Sequence, residues 1–210
     1  MRARAAALAR RPLVAEVTTV LSPWLVARAL VALGWVVATI AADDFRSGER
    51  PYHLQRGLFA WDGAFYRDLA EDGYAVQSPS ALRFFPLVPL LGRLFGVVLP
   101  GGAGIGVVVV SNLAALGAGV LLYRLAVEET GDQGLGVRAA WLLMLLPPAM
   151  VLVLGYAEST LLLLSIACFL ALRRRRFEWA AVAGLLAGLS RPVGVLLFVP
   201  AAIEALRSIR

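Results

Sequence analysis

Lysine is absent from the 210 residues, and cysteine and histidine occur once each. Cys168 sits alone within an apolar run, which excludes a disulfide framework and a cysteine-based metal site. His53 is likewise single, so no histidine cluster exists to hold a metal. Charge is scarce, at 16% of residues against 60% apolar, and the mean hydropathy of +0.78 is far from that of a soluble domain. All 20 basic residues are Arg and the net charge is +6. They stand in short blocks between apolar segments, the distribution of the positive-inside rule, and this argues against nucleic acid as a partner.

What the chain does have is a series of apolar stretches of 13 to 22 residues separated by charged punctuation. In hydrocarbon a helix satisfies all its own backbone groups, so the sequence predicts an all-α, polytopic membrane protein forming one domain over residues 1–210. Arg2, Arg4, Arg10 and Arg11 place residues 1–21 in the cytoplasm. Ser22 and Pro23 read as the cap and first position of a span over residues 22–42, too long for the apolar core of a cleaved signal. Residues 43–104 then form an outer loop. Residues 105–206 carry four more spans: 105–125, 137–154, 159–172, and one from 177 that is interrupted at Arg191-Pro192 before running on to 206. That makes about five spans, and the run Arg173 to Arg176 falls on the cytoplasmic side.

Half of the acidic residues, seven of fourteen, lie between positions 43 and 83. Such a loop is expected to carry function. Within it Asp62 can cap a short amphipathic helix whose apolar face, Phe65, Tyr66 and Leu69, rests on the membrane and which Gly73 ends. Residues 84–99, with Arg93 in their middle, reach only about 21 Å, short of the roughly 30 Å hydrocarbon core, and read as a second interfacial helix.

Five short motifs follow one another along the chain: Trp61-Asp62, Gly73-Tyr74, the run from Arg83 through Phe84, Phe85 and Pro86 to Leu90, Gly155-Tyr156-Ala157-Glu158-Ser159, and Ser190-Arg191-Pro192-Val193-Gly194. This ordered series resembles the PIG-V type mannosyltransferases and their bacterial relatives, over residues 23–200. The resemblance implies a GT-C glycosyltransferase that takes mannose from a polyprenyl-phosphate carrier and passes it to a lipid or glycan acceptor on the non-cytoplasmic face. It further implies a catalytic loop on the outer face and spans continuing beyond residue 210, while the exclusive use of Arg points to a multi-pass protein of a bacterial plasma membrane.

Transfer from a lipid phosphate to an alcohol needs a carboxylate to take the acceptor proton and a cation to offset the departing phosphate. Asp62 matches the family's loop acid and is the expected base, with Asp43 and Asp44, just past the first span, as runners-up. Arg191, about 20 Å deep in its span, is the expected phosphate ligand, or else a cation paired internally with Glu158. Glu158 either orients Arg191 or binds sugar hydroxyls. Arg83 reaches lipid phosphate or anchors the interface, and Trp61 joins the substrate-binding set. The residues call for no cofactor, although a divalent cation is compatible with them. Two rival readings are a transporter or flippase, in which Arg191 and the broken last span gate a path, and a non-catalytic membrane subunit.

Overall fold

The computed structural model describes residues 13–45 and 48–209, and within them every regular element is helical. Helix α1 is Leu13–Phe45, and α5, Gly102–Thr130, lies antiparallel to it. At 33 and 29 residues these two are long and apolar enough to cross a membrane. They extend roughly 50 and 43 Å at 1.5 Å per residue.

Helix α1 corrects the expected start at Ser22. Pro23 lies inside the helix and has no N–H for the carbonyl of Thr19 four residues back. The Ser22 hydroxyl donates to that carbonyl instead, at 3.3 Å, so the helix runs on and residues 13–21 are its first turns. Arg2, Arg4, Arg10 and Arg11 lie outside the described residues.

Helix α5 is the hub. Against it pack α1, the loop helices α3 (Asp62–Asp72) and α4 (Leu87–Gly96), and the later helices α6 (Gln133–Leu145) and α7 (Glu158–Arg173). Expected as one crossing over 137–154, the third apolar stretch is broken. α6 ends before Leu146, which takes the extended conformation that a following proline favours, and Pro147–Leu152 continues as 3-10 helix. Helix α8, Phe177–Ser190, packs on α7 and ends at the expected interruption. Arg191 is extended before Pro192, a 3-10 segment Pro192–Leu197 follows, and α9 is Phe198–Ile209.

Ion pairs gather at one end of the bundle, where Arg124 meets Glu16, Arg173 meets Glu129 and Arg174 meets Glu128. The opposite end carries the acid-rich loop. There a short helix α2, Tyr52–Arg56, and a 3-10 turn, Gly57–Phe59, lead into α3. The apolar face of α3 does not rest on a membrane as expected. Tyr66, Leu69 and Ala70 are buried against Phe84, Val88, Val107 and Ala157, because α4 and α5 close over that stripe. Helix α4 can come so close because it meets α5 glycine to glycine: a β-carbon on Gly106 would stand 2.0 Å from the Gly92 carbonyl oxygen. Gly73, at φ 82°, ends α3 as expected, and its N–H donates to the Leu69 carbonyl. Arg93 of α4 reaches the same helix end, its guanidinium donating to the carbonyls of Ala70 (2.9 Å) and Glu71 (3.3 Å).

Candidate functional site

Asp62 is the first residue of α3, not its cap. The cap position belongs to Trp61, and no side chain caps the helix. The Asp62 carboxylate therefore stands half-buried at a helix N-terminus, with no hydrogen-bond donor among the described residues. Its backbone is held instead. The Asp62 N–H donates to the Tyr156 hydroxyl at 3.1 Å, and that hydroxyl donates to the Ala60 carbonyl at 3.1 Å.

Tyr156 comes from the segment between α6 and α7, which is stapled to the loop. The Gly155 N–H donates to the Leu58 carbonyl (2.9 Å), and the Ser111 hydroxyl of α5 donates to the Tyr156 carbonyl (2.6 Å). Two residues on, Glu158 opens α7, and one of its carboxylate oxygens accepts a hydrogen bond from Arg191. The second oxygen, Oε2, is buried and has no partner among the described residues. A buried acceptor without a donor is costly to leave so, and this oxygen keeps its capacity to accept a hydrogen bond.

Asp62, Glu158 and Arg191 share one electrostatic environment. Burial pushes the Tyr66 phenol well above its usual pKa; the Arg191 charge opposes that shift, while Glu158 and Asp62 reinforce it. Tyr156 is raised in the same way, by burial first, and feels the same three charges. Both phenols therefore stay protonated at neutral pH and act as hydrogen-bond partners, not as bases.

The tertiary structure thus gathers three of the expected residues, Asp62, Glu158 and Arg191, from positions up to 129 apart in the chain. Trp61 adjoins them in sequence, half-exposed, its indole stacked on His53 with ring centres 4.9 Å apart. Arg83 is exposed and lies over the rings of Phe65 and Phe84. Asp43 and Asp44 fall in the last turn of α1. Asp43 is held by Arg50 through two 2.7 Å bonds, which lower its pKa, and Asp44 is exposed. Neither is among the charges that reach the two phenols.

Sequence reasoning named Tyr66 only as part of the apolar face of α3 and Tyr156 only within a motif, and it passed over Arg28. Arg28 was detectable as a charge six residues into the expected first span. It donates to the Asn112 side chain (2.9 Å) and to the carbonyls of Trp24 (3.1 Å) and Leu152 (3.0 Å), and stacks on the Trp24 ring. Among the described residues no group of three or more His, Cys, Asp or Glu side chains is placed to hold a metal ion. No protein-family model matches the chain, and neither a curated protein nor a solved structure matches it.

Proposed function

We propose that the chain is a multi-pass membrane glycosyltransferase of the GT-C kind. It would move a sugar, mannose by the resemblance, from a polyprenyl-phosphate carrier to a lipid or glycan acceptor on the non-cytoplasmic face. The observation that carries this reading is the pairing of a donor-free carboxylate, Asp62, with a carboxylate–guanidinium pair, Glu158 and Arg191, at the loop end of an apolar bundle. In the reaction Asp62 accepts the acceptor's hydroxyl proton as that oxygen bonds to the sugar's anomeric carbon. The bond from that carbon to the phosphate oxygen breaks, and the electron pair leaves with the phosphate. Arg191 offsets the charge gathering there, and the free Glu158 oxygen takes a sugar hydroxyl.

The same reading makes α6, α7 and α8 with their 3-10 extensions the remaining crossings. Alone they are 13, 16 and 14 residues, roughly 20 to 24 Å, and the 3-10 segments lengthen the first and last. The ion-paired arginine end then faces the cytoplasm and the loop end faces outward, which supports a flipped lipid-linked sugar as donor.

Asp62→Asn is the direct test. The change is nearly isosteric and removes no cap bond, so the melting temperature should stay within a few degrees of the parent. Transfer from polyprenyl-phosphate mannose by purified protein in detergent should slow by roughly 10²- to 10⁴-fold, the usual worth of a positioned general base. A variant that transfers at the parent rate removes Asp62 as the base.

A further inference from the structure

Trp61 holds a backbone conformation that side chains rarely tolerate. Its φ of 50° and ψ of −119° are those of the first corner of a type II′ turn, a position normally filled by glycine. The turn is closed by the Gly63 N–H donating to the Ala60 carbonyl at 3.1 Å. The Tyr156 hydroxyl touches both flanks of this corner, donating to the carbonyl before Trp61 and accepting from the N–H after it.

The clamp is itself held in place. Tyr156 is 6% exposed, its own carbonyl is bonded to Ser111, and Gly155 is bonded to Leu58. There is no slack beneath it, because a β-carbon on Gly63 would stand 3.3 Å from the Tyr156 ring and 3.2 Å from the Leu58 carbonyl oxygen. Burial raises the phenol's pKa, so the hydroxyl keeps the proton that it donates.

We propose that Tyr156 is a positioning residue: its hydroxyl clamps the inverted peptide corner at Trp61 and thereby sets where the Asp62 carboxylate and the Trp61 indole stand. The consequence for catalysis rests on the transferase reading; the clamp does not. A buried tyrosine that merely filled space would lose little as phenylalanine, whereas a clamp depends on the oxygen alone.

The test uses full-length protein labelled with 5-fluorotryptophan, whose five indole signals are read by fluorine NMR, with Trp61 assigned by Trp61→Phe. In Tyr156→Phe the Trp61 signal is expected to move or broaden while the other four stay. Sugar transfer should lose about tenfold or more in kcat with KM changed less than about twofold, since geometry and not binding is impaired. An unmoved Trp61 signal overturns the clamp. A moved signal with full kcat overturns the positioning role. A moved signal in a chain whose parent transfers no sugar supports the clamp and removes the transferase reading. Should Tyr156→Phe fold poorly, Trp61→Gly supplies the second measurement, because glycine accepts the corner without help. The melting-temperature loss from Tyr156→Phe should shrink in the Trp61→Gly background, and a loss of equal size in both backgrounds overturns the proposal.

Discussion

Arg28 and Arg191 are both part-buried guanidinium groups, and they are satisfied in different ways. Arg28 has three neutral oxygen acceptors and an aromatic face, an arrangement that uses the planar fork of donors and that an ammonium would not reproduce. Its acceptors include the Leu152 carbonyl at the end of the 3-10 segment, so Arg28→Leu takes a donor away from oxygens on two other elements. We expect a loss of roughly 2–5 kcal/mol, seen as a lowered melting temperature in detergent, with Arg28→Lys recovering only part of it. Arg191 has a charged partner instead, Glu158, and sits beside the unbonded Glu158 oxygen. If Arg191 offsets phosphate charge, Arg191→Lys keeps some transfer and Arg191→Ala keeps little. Equal, near-parent turnover in both variants would leave Arg191 only its structural pairing. The sequence flagged Arg191 as a charge deep within an apolar stretch. Arg28 lies in an unbroken helix, so its partners on α5 and beyond α6 appear only in three dimensions.

At the scale of elements, some helix ends were readable from the prolines and glycines that punctuate the chain. The ends of α3 and α8 follow from Gly73 and Pro192. The reading of residues 84–99 as too short to span agrees with the 10 residues of α4, roughly 15 Å. Two proline signals misled. Pro23 resembled a helix start but is spanned by a helix whose orphaned carbonyl takes a Ser22 hydroxyl, and Pro147-Pro148 ends a helix within a stretch apolar enough to read as one crossing. The glycine contact of α4 with α5 went unseen because its glycines are separated by ordinary apolar residues. It is sharply testable. Gly106→Ala would force a β-carbon to 2.0 Å from the Gly92 oxygen, so we expect about 1–3 kcal/mol of destabilisation by thermal unfolding. Gly184→Ala, in the interior of α8 with nothing within 4 Å, should be neutral or stabilise by about 0.5–1 kcal/mol. Similar losses in both variants would mean that α4 does not depend on the close approach.

Across the whole molecule the proposed orientation has a simple readout, since Cys168 is 1% exposed and gives little background to thiol reagents. On a Cys168→Ser chain, a cysteine placed at the exposed Ser78 should react with an impermeant reagent in intact cells, and one placed at Arg174 only after permeabilisation. The reverse pattern would put the loop end in the cytoplasm and remove the proposed donor. The amino-acid sequence by itself determined the element type, and with 60% apolar residues and so little charge it leaves broad apolar faces exposed, as on α1 at Leu25, Leu30, Leu33, Val36, Val37 and Ile40. It also offered the candidates: Asp62 through the family resemblance, and Arg191 through its depth within an apolar stretch. Only the tertiary structure decided that Asp62 stands free of capping duty, that Glu158 and Arg191 share its surroundings while Asp43 is taken by Arg50, and that Tyr156 bridges the corner at Trp61. The physical reason is range. Propensity, hydropathy and charge bias act over a few residues and survive in the sequence, whereas hydrogen bonds between residues 94 and 96 apart exist only after the bundle has packed.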